Sequence, residues 1–143
     1  MPTFEDSLTT TAPPRTVWKI LHDPARFPEW WAGFARVEEG AGNDGEGSGF
    51  TAFLDQSLYQ DMDPGRPMVH SVRSHAAGDR VVISCLVAEI EFEWRLAPAD
   101  RGGGTRIQVA VAVPDRRAGR FELQRTIIEA SIRRLARLAE EAA

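Results

Sequence analysis

The feature that most constrains this fold is a series of short alternating segments followed by a single long amphipathic one. Apolar and polar residues alternate most clearly over residues 89–97 and 105–113. The apolar positions there are Ile90, Phe92, Trp94, Leu96, Ile107, Val109, Val111 and Val113. A period of two is typical of a β-strand with one buried and one solvated face. Such a sheet needs a second layer to cover its apolar face.

Seven segments have the length and the flanking turn residues of strands. They are Thr3–Thr11, Phe34–Glu39, Gly49–Leu54, Met68–Ala76, Arg80–Val87, Glu89–Ala97 and Thr105–Val113. Several separators are short, and short connections favour antiparallel hairpins because parallel pairs need long crossovers. The boundary near Val87 has no turn residue to define it.

Helical patterns occur in two places. Pro13 and Pro14 suit the first turn of a helix that ends by His22, and a short helical segment is predicted over Pro24–Trp31. After Pro114, Asp115 is expected to cap a long helix that runs to about Glu140. Its apolar stripe contains Phe121, Gln124, Ile128, Ser131, Ile132, Leu135 and Leu138. We therefore predict an α+β fold in which a curved seven-stranded antiparallel sheet wraps around this helix, with a cavity between the two layers.

Length, charge and cysteine content exclude several classes of protein. The chain has 143 residues, which predicts a single domain over 1–143. A net charge of −4 argues against a nucleic-acid partner. One cysteine, Cys85, excludes a disulfide framework and a structural zinc site. With no long apolar run and no apolar leader, we expect a cytoplasmic monomer or homodimer without a membrane span.

Residues 40–45 match the nucleotide-binding pattern G-x-G-x-x-G, but their context does not. A nucleotide fingerprint requires a helix to follow, whereas a strand follows here, and Asp44 and Glu46 would repel phosphate. The stretch predicts a hairpin loop. The residues Asp61–Gly65 lack the remaining ligands of a calcium loop, and His70 and His75 point to opposite sheet faces. We predict neither a cofactor nor a metal site.

Residues Thr10–Trp31 read TTAPPRTVWKILHDPARFPEWW. This stretch resembles the opening of the SRPBCC (START-like) superfamily, in which a strand ends in Ala-Pro, a helix carries Val-Trp with Leu and Asp behind it, and a short helix ends in Pro-Glu-Trp. The turn at Gly103–Arg106 and the terminal helix also match that pattern. The resemblance is to the polyketide cyclase/dehydrase and lipid-transport branch. It implies a helix-grip fold with an internal hydrophobic cavity.

Two residues are candidates for cavity chemistry. His70 shares the parity of Met68 and Val72 and should point inward, either as a hydrogen-bonded core histidine or as a general acid/base. Tyr59, the only tyrosine, lies in the Asp55–Pro67 connection, where it either covers the cavity mouth as a proton donor or lies at the surface.

The remaining candidates bind a ligand without acting on it. They are Asp6, Trp30, Phe50, Leu54, Phe92, Trp94, Val109, Gln124 and Ile128. Gln124 either orients a ligand or hydrogen-bonds the sheet, and Trp94 is cavity wall or core. Because Asp6 shares a face with Phe4, its carboxylate needs a partner or access to solvent.

The predicted function is binding of a hydrophobic or aromatic small molecule in the cavity. One form of this function is an enzyme that cyclises or dehydrates a polyketide-like substrate by acid/base chemistry. Another is a passive carrier or sensor of a lipid or aromatic ligand. The resemblance also allows a protein-interaction module, which would require an exposed apolar patch.

Overall fold

The computed structural model of the protein describes residues 2–39, 48–59, 67–74, 78–99 and 102–143. The strands are β1 (Thr3–Thr10), β2 (Phe34–Glu39), β3 (Ser48–Leu54), β4 (Met68–Ser74), β5 (Arg80–Cys85), β6 (Glu91–Pro98) and β7 (Thr105–Ala112). The helices are α1 (Pro14–Leu21), α2 (Phe27–Trp30) and α3 (Phe121–Ala142), with 3₁₀ turns at Pro24–Arg26 and Asp115–Arg120. The expectations for residues 40–45, Asp61–Gly65 and His75 lie outside the described residues.

The described strands form one antiparallel seven-stranded sheet in the order β1-β7-β6-β5-β4-β3-β2. Strands β2 to β7 follow one another as hairpins, and β1 pairs with β7 along its whole length. Trp94 lies opposite Val81 on one side and Val109 on the other, which places all three on the same face. The predicted curved sheet with a covering helix is confirmed.

The turn between β5 and β6 differs from the prediction. β5 ends at Cys85 and β6 begins at Glu91, so the predicted strands ran too far into the connection. The backbone N–H of Glu89 donates to the carbonyl oxygen of Cys85 at 2.8 Å, and Glu89 has a φ of 58°. Left-handed backbone is usually a glycine position, so a glutamate there leaves no turn signal in the sequence.

The C-terminal helix also begins later than predicted. Asp115 starts a 3₁₀ segment rather than the α-helix, and α3 begins at Phe121. Arg117 leaves helical geometry, with φ −114° and ψ 20°, which separates the two segments. The face of α3 that meets the sheet is buried and contains Gln124, Ile127, Ile128, Ser131, Ile132, Leu135, Ala136 and Ala139.

Aromatic side chains fill one part of the interior, where α2 meets the sheet. We call Phe27, Trp30, Trp31 and Trp94 the aromatic cluster; their side chains are at most 2% exposed. The ring centroids of Trp30 and Trp94 are 5.1 Å apart at 87°, an edge-to-face contact. Such contacts fill this region with aromatic rings.

Candidate ligand cavity

A cavity of about 200 Å³ lies between the sheet and the beginning of α3. It is lined by Trp31, Phe34, Leu54, Tyr59, Met68, His70, Cys85, Val87, Ala88, Ile90, Phe92, Arg117, Arg120 and Gln124. Most of these walls are apolar or aromatic, with a few polar groups among them, as is usual for a small-molecule site. Cavities of roughly 150 Å³ bind benzene, so this space suits one substituted aromatic ring or a short acyl chain.

His70 lies on β4 and faces the cavity. Its side chain is buried, and its ring stacks on Phe50 with centroids 4.8 Å apart. Nδ1 lies 2.8 Å from the carbonyl oxygen of Met68. A carbonyl oxygen only accepts, so Nδ1 carries the hydrogen and Nε2 of the neutral ring is an acceptor. Burial lowers the pKa of His70 to about 4, and the imidazole is neutral at pH 7.

Tyr59 and Gln124 form a hydrogen-bonded pair at the cavity. Gln124 Nε2 donates to Tyr59 Oη at 2.8 Å, which leaves the phenolic hydrogen available for a second partner. Burial raises the pKa of Tyr59 to about 12, and the hydroxyl stays protonated at neutral pH. Gln124 thus uses one of its two amide hydrogens to position Tyr59.

The backbone before Tyr59 holds this side chain in place. Asp55 receives both the N–H and the hydroxyl of Ser57 at its carboxylate, and its carbonyl oxygen accepts the N–H of Tyr59 at 3.1 Å. The absence of a side chain at Gly33 is also needed. A Cβ built there would lie 3.2 Å from Tyr59 Oη, closer than an ordinary van der Waals contact.

Cys85 contributes a thiol to the cavity wall. It pairs with His70 across β4 and β5, and its Sγ accepts the N–H of Ala88 at 3.4 Å. Burial raises the pKa of the thiol. Cys85 therefore remains a neutral thiol, consistent with its prediction as a small buried hydrophobic residue.

Two arginines at this site were not predicted. Arg117 and Arg120, both from the 3₁₀ segment before α3, line the cavity. Arg117 Nε is buried and has no hydrogen-bond partner among the described residues. Both belong to the run DRRAGR at residues 115–120, in which the sequence analysis singled out only Asp115.

The structure brings together five of the predicted site residues: Leu54, Tyr59, His70, Phe92 and Gln124. The other predicted residues lie elsewhere. Trp30, Phe50, Trp94, Val109 and Ile128 are almost completely buried in the packed core and do not line the cavity.

Asp6 lies apart from both the core and the cavity. It is half-buried on the edge strand β1, opposite Val109, and its carboxylate accepts the N–H of Ser7 at 2.8 Å. No group of His, Cys, Asp or Glu able to hold a metal ion occurs within the described ranges.

The family model described as polyketide cyclase / dehydrase and lipid transport matches residues 1–140. The chain belongs to this family. The predicted resemblance is thereby confirmed, and membership in this family supports a hydrophobic ligand-binding fold. No curated protein sequence matches the chain significantly.

Solved structures of similar shape agree on the fold. A START superfamily protein from Mycobacterium smegmatis superposes with a TM-score of 0.73 at 16% identity, over 99% of each chain. The protein XoxI from Bacillus cereus superposes with a TM-score of 0.74 at 11% sequence identity, over 99% of this chain and 98% of XoxI. The di-domain ARO/CYC StfQ, from the steffimycin biosynthetic pathway, superposes with a TM-score of 0.71 at 15% sequence identity. The match covers 98% of this chain and 51% of StfQ.

At such identities the likeness shows the shared fold alone. Membership in the polyketide cyclase / dehydrase and lipid transport family rests on the family model. Within the described part of the chain, each helix is too short or too polar to cross a bilayer.

Proposed function

We propose that this protein binds a small hydrophobic molecule in the cavity and holds its polar end with Tyr59 and His70. The observation that carries the proposal is the cavity itself, in which a hydrogen-bond donor and an acceptor face a space of about 200 Å³ between apolar and polar side chains. A small aromatic or acyl ligand fits this volume, whereas a long extended polyketide does not.

The hydrogen bonds that Tyr59 and His70 already make determine which donor and acceptor groups the polar end of the ligand needs. Tyr59 accepts from Gln124 and has its own hydrogen left to donate to a ligand oxygen. His70 donates through Nδ1 to Met68 and has Nε2 left to accept from a ligand hydroxyl. A phenol, or a carbonyl compound with a nearby hydroxyl, satisfies both groups. A bound ligand that leaves either group unpaired loses roughly 1–3 kcal/mol of binding free energy.

A second candidate function is acid/base catalysis on the same ligand. In the dehydration of a β-hydroxy carbonyl compound, His70 would remove the proton beside the carbonyl while Tyr59 stabilised the enolate oxygen. The carbon–oxygen bond would then break, and the proton on His70 would leave with the hydroxyl as water. The family description and the ARO/CYC relative favour this chemistry. The low pKa of His70 favours binding instead, because it makes the neutral ring a weak base.

Binding can be tested by titrating the protein with para-ethylphenol and with ethylbenzene, monitored by tryptophan fluorescence because Trp31 lines the cavity. We expect saturable binding of both at one site, with the phenol bound more tightly. His70→Ala and Tyr59→Phe should each weaken phenol binding by about 2- to 10-fold, the worth of one hydrogen bond.

His22 provides a matched control for His70. It is exposed, and its Nδ1 lies 2.7 Å from the carbonyl oxygen of Trp18, outside the cavity. His22→Ala should bind para-ethylphenol as the wild type does. Absence of saturable binding of either probe would refute the proposal. Turnover of a β-hydroxy carbonyl substrate, lost in His70→Ala, would support the catalytic form.

A further inference from the structure

We infer that the cavity selects a small aromatic or acyl carboxylate and that Arg117 binds its anionic oxygens. This inference rests on the proposed function and specifies the class of ligand. It assigns a role to the one cavity arginine whose buried Nε lacks a partner in the described structure.

Arg117 carries an unsatisfied nitrogen. Its side chain lines the cavity, its Nε is buried, and none of the described residues accepts the Nε hydrogen. A buried donor that belongs to a charged group and has no acceptor loses its hydration without compensation. A ligand that supplies an acceptor at this point removes the penalty and is bound more tightly for that reason.

Arg117 also differs from the adjacent arginine, Arg116. Arg116 has an exposed side chain and an ion pair with Glu89, with 2.5 Å between its Nη2 and Oε1 of the carboxylate. Arg117 lies next to it but is half-buried at the cavity, because the backbone leaves helical geometry there. Two neighbouring arginines thus have different environments: one is paired at the surface, and the other faces the ligand site.

The charged side chains of the cavity wall also favour an anionic ligand. The lining includes Arg117 and Arg120, and no carboxylate among the described residues lines it. The other titratable groups that line the cavity, Tyr59, His70 and Cys85, are neutral at pH 7. Among the described residues, the charged groups of the cavity wall are therefore arginines. Arginine presents its N–H groups in a planar fork that fits the two oxygens of a carboxylate.

The test compares cinnamate with cinnamamide, which have the same shape and differ in charge. Calorimetry should show that the wild type binds cinnamate at least about 10-fold more tightly than cinnamamide, since hydrogen bonds to charged groups are worth roughly 1.5–3 kcal/mol. Each probe should compete with para-ethylphenol for one site. Arg117→Gln should abolish the preference for cinnamate, while Arg117→Lys should retain only part of it.

The control is Arg116→Gln, which makes the same change in net charge one residue away. It should retain the full preference for cinnamate, because Arg116 does not line the cavity. Equal wild-type affinities for cinnamate and cinnamamide would overturn the inference while supporting a neutral ligand for the proposed function. Failure of both probes and of para-ethylphenol to bind would refute the proposed function, and this inference with it.

Discussion

The interior on the concave side of the sheet has two regions that differ in how they are filled. In the aromatic cluster, large rings contact one another and are almost completely buried. Beyond Trp31, which belongs to both regions, the cavity is bordered by turns and by the 3₁₀ segment, and polar groups replace part of the apolar lining. Packing specifies the first region. Side-chain hydrogen bonds and arginine side chains distinguish the second.

The largest effect is expected in the filled region. Ile128 is completely buried and does not line the cavity. Ile128→Asp should destabilise the protein by about 3–5 kcal/mol, because it leaves a charge buried without a partner. Urea unfolding measures this difference. Ile128→Val, which removes one methylene, should cost only about 0.5–1.5 kcal/mol. An aspartate variant as stable as the valine variant would show that this part of the interior is not filled.

The next effect is the pH dependence of stability that arises from His70 in the cavity. Its pKa is about 4 in the folded protein against an ordinary value of 6.5. Between these values the unfolded chain binds more protons, so stability rises with pH in this window and is lost as the pH falls from 6.5 towards 4. The loss amounts to about 3 kcal/mol.

His70→Gln removes the titrating group and should lose correspondingly less stability over the same pH range. His22→Gln, at an exposed position, should retain the wild-type dependence. Parallel pH profiles for His70→Gln and the wild type, in chemical unfolding at each pH, would contradict the neutral buried histidine.

A smaller effect is expected from Gly33, which leaves room for Tyr59. Gly33→Ala places a methyl group 3.2 Å from Tyr59 Oη and should displace the ring by a few tenths of an ångström. We expect about 2- to 10-fold weaker binding of para-ethylphenol, comparable to Tyr59→Phe. Gly119→Ala is the control, since an added Cβ there meets no atom within 4 Å. Wild-type affinity in Gly33→Ala, alongside weakened binding in Tyr59→Phe, would show that this contact does not position the hydroxyl.

The architecture was predictable because it depends on periodicity. Alternation along β6 and β7 identified the buried face that Trp94 and Val109 share, and helical spacing identified the stripe of α3. The exact ends of β5 and α3 were not predictable. The end of β5 depends on the left-handed backbone of Glu89, and the start of α3 depends on the non-helical backbone of Arg117. Neither glutamate nor arginine is a residue type that predicts such a conformation.

The cavity was predictable only in part. The alternation along β4 correctly predicted that the side chain of His70 points inward. The pairing of Tyr59 with Gln124 joins residues 65 positions apart, one in a connection and one on a helix, and no local pattern encodes it. Arg117 escaped prediction because it lies between two periodic elements, where a charged residue is ordinarily solvated.

The smallest effect in the ligand-free protein is expected at Arg117. Arg117→Met should leave the free energy of unfolding unchanged or raise it by up to about 1 kcal/mol. Methionine keeps apolar contacts similar to those of the arginine stem and removes the nitrogen that lacks an acceptor. Arg116→Met removes the exposed ion pair with Glu89 and should cost between about 0 and 1 kcal/mol.

Saturating cinnamate should reverse the order of stability at this position. A ligand that binds only the folded protein stabilises it in proportion to the logarithm of its concentration over Kd, so the wild type should gain more than Arg117→Met. Thermal unfolding with and without cinnamate measures both differences. A marked loss of stability in ligand-free Arg117→Met would show that Arg117 contributes to packing, as the residues of the aromatic cluster do. The expected reversal would instead show that Arg117 serves ligand binding and slightly lowers the stability of the ligand-free protein.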